Sequence, residues 1–425
     1  MSRFFPLSLP MGQIARGTCI ASGWMALRVA LQMIWLVLVA HTLGPEGYGL
    51  LAGITALAST LGSLTGIGFG TLMLQDVSRD SGAFSVAWKR ALVMSLATGA
   101  IFCALYAVFA SHLLGMHLGG GVYLAVGFTE LFCFPLIGVA SHAFQAHERM
   151  GWAGLLHVTI PVGNLVAFGL FLMWTPVKSM AAYLPFHAAM ALVTALVAIG
   201  IVQHLLSPLP ARFVTTSRDI RKGCEFSVMR MADTAISMLD KTLVLRLSGE
   251  YSAGIYSTAY RLISVATLPL VSLSMSALPR LFKVGGKGSA ARALACWLVV
   301  AVFAYGLFAG VTIWFLAGLL PVLLGEGFRP TVEVARWLVA SPLLQGLYIV
   351  GANLLVAQKM VGLRVMAQLL IVGAMVAFSA TLIPAFGLAG AVGMLLATQA
   401  FAALLVWTCY GLGRHRIAMA ESRLH

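Results

Sequence analysis

The sequence predicts an all-α membrane protein with twelve transmembrane helices. Of its 425 residues, 60% are hydrophobic and 9% are charged, and the mean hydropathy is +0.95. A soluble domain has about 25% charged residues, so this chain lacks the polar residues that would cover a water-soluble globule. Apolar runs of about 20 residues, the length that spans a bilayer, recur along the whole chain. A soluble enzyme and a disordered chain are therefore excluded.

Twelve apolar segments are predicted to cross the membrane. The first carries Arg28 near its middle and is too long for the core of a signal peptide, so we interpret it as a retained helix. The spans cover residues 18–40, 48–71, 91–112, 119–141, 152–174, 179–202, 224–247, 252–278, 293–320, 335–357, 363–384 and 387–411.

The basic residues predict the orientation of these spans. Nineteen of the 27 Lys and Arg residues lie in connections on one side, three on the other and five within spans, when Arg336 and Arg364, each the second residue of its span, are counted with the connections. Cytoplasmic connections carry the excess of Lys and Arg in membrane proteins, so both termini are predicted to be cytoplasmic. The net charge of +14 comes from short gaps between spans and not from one solvated face, so no nucleic acid partner is expected. No metal or cofactor motif occurs.

The two halves of the chain resemble each other. Gly44 and Gly249 follow the first and seventh spans at an offset of 205 positions, and Gly49 and Gly254 repeat that offset. The turn HLLG at 112–115 matches VLLG at 322–325. We therefore predict two six-helix lobes, residues 1–205 and 206–425, related by an axis along the membrane normal. Transporters built from such repeats hold substrate between the halves and alternate between two openings.

Several runs resemble one known family. They are LGPEGYGLLAGITALASTLGSLTGIGFGTLMLQDVSRD (43–80), AGIYSTAYRLISVATLPLVSLSMSALPRL (253–281), LLGEGFRP (323–330) and IPAFGLAGAV (383–392). This pattern is similar to that of the bacterial polysaccharide and O-antigen flippases, which belong to the multidrug/oligosaccharidyl-lipid/polysaccharide exporter superfamily. The resemblance extends over essentially the whole chain.

The resemblance implies a fold, a cargo and partners. The implied fold has two six-helix lobes around a central cavity, as in the MATE transporters of that superfamily. The implied activity is export of undecaprenyl-pyrophosphate-linked O-antigen or exopolysaccharide units from the cytoplasmic to the periplasmic leaflet of the bacterial inner membrane. The expected partners are the lipid-linked oligosaccharide, the bilayer, and a polysaccharide polymerase or chain-length regulator. No cofactor is implied.

The seventh span carries a stripe of polar and ionisable residues. At 100° per residue, these side chains fall within an arc of about 100°: Arg230, Asp233, Ser237, Asp240 and Lys241. Such a stripe faces a wet cavity or is paired internally, because ionisable groups in a membrane are costly. Substrate binding is one reading, and an Arg230–Asp233 pair is the other. Asp240 and Lys241 are adjacent, so we expect them to pair poorly along the helix.

The first span carries a second such face. Arg28 and Gln32 lie one turn apart, with Trp24 and Trp35 on the same side. Arginine offers a fork that matches phosphate oxygens, so this face predicts a diphosphate clamp with aromatic neighbours for the sugar. The alternative is a salt bridge between helices, from Arg28 to Glu130.

Two further residues have open roles. Glu130 lies midway along the fourth span and is either an ion-coupling carboxylate or the counter-charge of Arg28. Arg261, within TAYRL, either lines the cavity or supports packing near the glycine turn. Within the spans, five basic residues face three acidic ones, which favours an anionic cargo.

Two other functions compete with the flippase. An ion-coupled multidrug or cation antiporter of the same superfamily predicts an excess of carboxylates, which the count disfavours. A membrane polymerase or ligase needs a sizeable external loop with catalytic residues, and the predicted external loops are short. The chain has no GxxxxGK[ST] motif for nucleotide hydrolysis. A transporter that is not an enzyme is therefore expected.

Overall fold

Helices form the secondary structure throughout the computed structural model, which describes residues 11–284, 288–358 and 360–422. No strand occurs within these ranges. In chain order the helices are α1 (Met11–Gly62), α2 (Phe69–Arg79), α3 (Phe84–Leu114), α4 (Gly120–Gly127), α5 (Phe134–Ala146), α6 (Met150–Trp174), α7 (Met180–Leu205), α8 (Ser217–Ala266), α9 (Leu268–Val284), α10 (Gly288–Leu316), α11 (Leu320–Leu324), α12 (Thr331–Trp337), α13 (Ser341–Ala357) and α14 (Val361–Ser422).

Three of these helices are much longer than a bilayer requires, and each contains one non-helical glycine. The breaks are Gly44 in α1 (φ 68°, ψ 179°), Gly249 in α8 (φ 84°, ψ 177°) and Gly387 in α14 (φ 56°, ψ −125°). Positive φ with these ψ values is open to glycine and strained for other residues. The breaks fall where the sequence predicts boundaries between spans one and two, seven and eight, and eleven and twelve.

The described residues contain nine helical stretches that are long and apolar enough to cross a membrane. Three of them include the glycine breaks just given. The chain is thus a multi-pass membrane protein, while its division into twelve separate spans stays a prediction.

The glycines of the predicted repeat share backbone conformation. Gly44 and Gly249 both combine φ near +75° with ψ near 180°. Gly115 and Gly325, the last residues of the matched HLLG and VLLG turns, also have positive φ, at 67° and 98°. Gly44 and Gly249 therefore make the same kind of turn, and Gly115 and Gly325 share a positive φ.

The helices that follow these turns pack directly through glycine. A Cβ added at Gly49 would lie 2.0 Å from the carbonyl oxygen of Glu250, and one at Gly254 would lie 1.9 Å from that of Pro45. Only a residue without a side chain allows this approach. Gly49 and Gly254, which match at an offset of 205 positions, therefore lie where the two helices touch. Each glycine faces the backbone of the other helix.

The residues group into two units. The N-terminal unit comprises Met1–Leu38, Leu61–Leu113 and His117–Val228, and the C-terminal unit comprises Val39–Thr60, Leu114–Met116 and Met229–His425. The core of the N-terminal unit is formed by α2, α3, α5, α6 and α7, and the core of the C-terminal unit by α9, α10, α13 and α14. The division into six-helix lobes at residues 205 and 206 stays a prediction.

Candidate functional site

The C-terminal unit contains a cavity of about 330 Å³ with a mixed polar and apolar lining. This volume falls at the lower end of the range for small-molecule sites. The polar residues around it are Asp233, Ser237, Tyr260, Ser274, Gln345, Tyr348, Asn353, Arg364, Thr398 and Gln399. Two of them, Asp233 and Ser237, belong to the ionic stripe predicted on the seventh span.

The charged groups of this cavity form an ion pair between two helices. Arg364 on α14 lies with its Nη2 3.7 Å from Oδ1 of Asp233 on α8, and the amide of Gln368 donates a hydrogen bond to the same carboxylate. The partner of Asp233 is therefore Arg364, and the alternative Arg230–Asp233 pair is not formed among the described side chains. The guanidinium stays outside hydrogen-bond distance of the carboxylate, and its buried Nε has no hydrogen-bond partner in the described part of the chain.

The expectation that Asp240 and Lys241 pair poorly is wrong. Nζ of Lys241 lies 2.9 Å from Oδ1 of Asp240, and the hydroxyl of Tyr256 donates to Oδ2 at 2.7 Å. The long lysine side chain folds back along the helix, where Nζ also donates to the carbonyl of Ser237 and lies over the ring of Tyr260. Because the Asp240 side chain is fully buried, an unpaired charge there is costly. The contacts favour internal pairing of these two residues.

The remaining cations of the seventh and eighth spans differ in their surroundings. Arg230 is exposed and makes no ion pair with any described carboxylate, while its own carbonyl accepts a hydrogen bond from Thr234. Arg261 is half-buried and lies within electrostatic range of Lys241 and of Tyr48. Arg230 is thus the more accessible of the two guanidinium groups.

In the N-terminal unit, the two predicted aromatic neighbours have structural contacts. Nε1 of Trp35 donates to the hydroxyl of Tyr183 at 3.0 Å. The ring of Trp24 packs on the bare backbone of Gly154, where an added Cβ would lie 2.7 Å from the indole. Both tryptophans keep part of their surface exposed, so each is held in place while one face stays accessible.

Arg28, Gln32 and Glu130 are half-buried, and all three interact with other residues. Glu130 lies in a π-helical turn, Phe128–Cys133, that the sequence pattern did not reveal. Pro135 has no N–H to donate to the carbonyl of Leu131, and the hydroxyl of Thr65 donates to that carbonyl instead, at 3.0 Å. The π-turn is thus supported by a neighbouring segment. Such turns are frequent at functional sites.

Sequence reasoning missed two paired arginines, one buried and one half-buried, because it counted both as charges of the connections. Arg90 donates to Asp76 at 2.8 Å and to Asp219 at 3.0 Å, and lies over the ring of Phe69. It ties α3 to α2 and to the start of α8. Arg364 is the other. The sequence contains a pattern that could have identified Arg364, because Arg364 and Gln368 have the same four-residue spacing as Arg28 and Gln32.

Within the described residues, no three His, Cys, Asp or Glu side chains are grouped closely enough to hold a metal ion. Around the carboxylate of Asp233, the described site chemistry consists of guanidinium groups, amides, hydroxyls and aromatic rings. These groups bind phosphates and sugar hydroxyls by charge and hydrogen bonding.

The sequence profile of a family described as "Polysaccharide biosynthesis protein" matches residues 14–284. Comparison with curated proteins gives no match.

Solved structures with a similar fold are membrane transporters. An inward-facing multidrug resistance MATE family transporter of the MOP superfamily aligns with a TM-score of 0.71 and 15% identity, covering 95% of this chain and 99% of the other. The lipid II flippase MurJ in an inward closed conformation aligns with a TM-score of 0.70 and 13% identity, covering 92% and 87%. A MOP superfamily transporter from Pyrococcus furiosus, reported with a binding pocket of reverse polarity, aligns with a TM-score of 0.62 and 14% identity, covering 95% of each chain. At these identities the likeness shows the fold, which confirms the predicted all-α, MATE-like class.

Proposed function

Because the chain belongs to the polysaccharide biosynthesis protein family and has the fold of MOP-superfamily transporters and flippases, we propose that it flips an undecaprenyl-pyrophosphate-linked oligosaccharide between leaflets. The family match carries this proposal. Among proteins of the same fold, MurJ is a flippase for lipid II. A lipid-linked sugar in polysaccharide biosynthesis is the cargo that joins these two findings.

The proposed cargo is an O-antigen or exopolysaccharide repeat unit. It moves from the cytoplasmic to the periplasmic leaflet of the inner membrane by alternating access, with both termini of the chain in the cytoplasm. A polymerase or chain-length regulator then consumes the unit. The central cationic cavity predicted from the sequence is part of this proposal.

In the C-terminal unit, the substrate contacts are assigned by which polar groups retain unused capacity, and on the first span they follow the face predicted from the sequence. Arg230 is exposed, and Arg364 has an unpartnered Nε beside the cavity of the C-terminal unit. We assign these two, with Arg28 and Gln32, to the pyrophosphate and the first sugars, and Trp24 and Trp35 to sugar stacking. Asp233 orients Arg364. Asp240 and Lys241 serve the fold, and Arg261 supports packing near the glycine turn.

Glu130 is proposed to couple transport to an ion gradient. Its π-turn and its position in the chain support this role, since local distortions of helices accompany functional groups. The other energy source in keeping with the proposed function is consumption of the flipped unit. A flipping rate that does not change when the proton and sodium gradients are collapsed contradicts the coupling role.

The proposed function is tested in a polysaccharide-producing strain whose own copy of the chain is placed under a repressible promoter. Depletion should stop surface polysaccharide while lipid-linked repeat units accumulate and stay inaccessible to an enzyme added outside the inner membrane. Normal polysaccharide after depletion contradicts the proposal. Loss of polysaccharide without accumulation of lipid-linked units also contradicts it, because synthesis and not flipping is then affected.

Arg28 provides a residue-level test in the same strain. Arg28→Ala should abolish export while the chain still inserts at wild-type level. Arg28→Lys keeps the charge but lacks the planar fork. If charge alone matters, this variant should restore export in part, and an inactive Arg28→Lys variant would instead indicate that the fork geometry is required. Wild-type export by Arg28→Ala contradicts the assignment of Arg28 to the pyrophosphate.

The second candidate function is an ion-coupled multidrug or cation antiporter, which the likeness to a multidrug transporter favours. Such a transporter needs a carboxylate that can meet a cation. Asp233 is neutralised by Arg364, which argues against a cationic drug in the cavity of the C-terminal unit. Resistance to cationic drugs that rises with expression of the chain favours the antiporter.

A further inference from the structure

The C-terminal unit carries a second recess, which is lined by apolar groups. It has a volume of about 710 Å³ and runs along the second half of α10, beside residues 339–343. Its lining is Phe303, Ala304, Gly306, Leu307, Gly310, Val311, Trp314, Phe315, Val339, Ala340 and Leu343. We call this recess the α10 groove.

Two glycines create the floor of the α10 groove. An added Cβ at Gly306 would lie 3.0 Å from Leu343, and one at Gly310 would lie 3.0 Å from the carbonyl of Val339. The backbone of α10 therefore packs directly on the neighbouring segment. Large side chains project on either side of this floor, with Leu307 72% exposed and Phe315 75% exposed.

The length and depth of the α10 groove match one leaflet. α10 has 29 residues, and the lining begins at its midpoint, Phe303, and ends near its last turn, at Phe315. Twelve residues of helix rise about 18 Å, and half of the hydrocarbon core is about 15 Å. Because α10 contains most of the predicted ninth span, we expect the groove to extend from near the bilayer midplane to the level of the headgroups.

The headgroup end of the α10 groove carries a fixed positive charge. Arg336 lies with its guanidinium carbon 4.9 Å from the ring centre of Trp314, and its buried Nε has no hydrogen-bond partner among the described residues. Tryptophan and arginine are typical of the membrane interface. A donor without a partner at this level fits an anionic headgroup.

We propose that the α10 groove binds the polyprenyl chain of a phosphate-bearing carrier lipid, with Arg336 contacting its phosphate. A single groove takes a single chain, whereas a phospholipid has two chains on one headgroup. The side chains that flank the floor, among them Leu307 and Phe315, offer apolar surface to the methyl branches of an isoprenoid. The orientation predicted from basic residues places this end in the periplasmic leaflet, where the carrier would arrive after flipping. The identity of the lipid rests on the proposed function.

The test measures lipid binding to the purified full-length chain in detergent by native mass spectrometry. The probes are undecaprenyl phosphate, undecaprenol and dioleoylphosphatidylglycerol. Ala304→Phe with Ala340→Phe fills the groove from two exposed lining positions. Val300→Phe, at a residue 60% exposed on the same helix and outside the lining, is the matched control. Arg336→Gln removes the charge, and Arg329→Gln, whose side chain is 81% exposed, is its control.

Undecaprenyl phosphate should bind to the wild type about tenfold more tightly than undecaprenol, because a charge-assisted hydrogen bond is gained. Arg336→Gln should remove this preference and leave undecaprenol binding unchanged. Ala304→Phe with Ala340→Phe should lower the affinity for both polyprenyl probes about tenfold or more. The two control variants should bind the probes as tightly as the wild type does. Arg336→Gln keeps the test open if the filled variant does not fold.

Three results overturn the proposal. Phosphatidylglycerol that binds as tightly as undecaprenyl phosphate identifies a general phospholipid site. A filled groove that changes the proportion of dimer but not lipid binding identifies an interface between copies of the chain. Unchanged binding in both variants excludes the groove. Since binding is read without transport, a chain that binds the carrier here but fails to flip contradicts only the proposed function.

Discussion

Two cations of the C-terminal unit, Lys241 and Arg364, differ in how fully their donors are used by internal contacts. The ammonium group of Lys241 pairs with Asp240, donates a hydrogen bond to a backbone carbonyl and lies over an aromatic ring. Arg364 is held at 3.7 Å from one carboxylate and keeps an unpartnered Nε. Charge alone therefore does not identify a ligand-binding residue in a membrane helix.

The pairing of Asp240 and Lys241 makes a prediction about stability and transport. Lys241→Ala leaves a fully buried carboxylate without its counter-charge, which should cost about 3–5 kcal/mol of stability and lower the melting temperature in detergent. Asp240→Asn combined with Lys241→Met removes both charges and keeps an acceptor for Tyr256. This double variant should melt close to wild type and retain transport. If it folds but does not transport, Lys241 contacts the substrate after all.

The Asp233–Arg364 pair should respond differently, because the Asp233 side chain is 45% exposed. Arg364→Gln should cost about 1–2 kcal/mol of stability, less than a fully buried pair. It should reduce transport far more than it reduces stability, and Asp233→Asn with Arg364→Gln should not restore transport. Arg329→Gln is the control for loss of one arginine. Full transport by the double variant contradicts the substrate role of Arg364.

Residue-level pairing was only partly predictable from the sequence. The stripe on the seventh span was visible because it obeys helical periodicity. The partners of Asp233 and Arg90 were not, since Gln368 and Asp219 lie 135 and 129 positions away. A hydropathy window assigns arginines at the ends of spans to the connections, and only tertiary packing brings them to a carboxylate.

At the scale of elements, glycine determines where long helices break and where two helices touch. Gly44 and Gly249 adopt one backbone conformation at equivalent points of the two halves. These turns were predictable, because a glycine with positive φ leaves a local sequence signature. The π-turn at Glu130 was not predictable, because it depends on Thr65 replacing the donor that Pro135 lacks.

The contact between Gly49 and Gly254 predicts a strong effect of a single methyl group. Gly49→Ala places a Cβ against backbone atoms 2.0–2.9 Å away, where no side chain can move aside. Overpacking costs about 1–3 kcal/mol and at times more, so the melting temperature should fall. Gly373→Ala, in α14 with nothing within 4 Å of its Cβ, should be neutral or slightly stabilising. Equal melting temperatures for the two variants contradict the close approach.

For the whole molecule, composition and the recurrence of apolar runs were sufficient to predict a multi-pass helical membrane protein. The bilayer interior requires apolar surface, and each crossing requires about 20 apolar residues in a row. The fold class followed from the sequence resemblance, and the likeness to MATE and MurJ structures confirms it. The cargo does not follow from the fold, since a multidrug transporter and a lipid II flippase share it.

The predicted orientation is testable by labelling. Val177 and Leu209 are 65% and 74% exposed, and they lie in connections predicted to be on opposite sides of the membrane. In a background without exposed cysteines, Val177→Cys should react with an impermeant maleimide in whole cells. Leu209→Cys should react only after permeabilisation. The reverse pattern would require the termini to be outside.

Flipping itself is most directly measured in proteoliposomes. The purified chain is reconstituted with a fluorescent undecaprenyl-pyrophosphate-linked oligosaccharide, and an added glycosidase reports the fraction of sugar on the outer surface. The account predicts that wild-type protein brings nearly all of the sugar within reach of the glycosidase. Vesicles with Arg28→Ala or without protein should stop at the outer-leaflet fraction. Equal digestion in wild-type and protein-free vesicles would contradict the account.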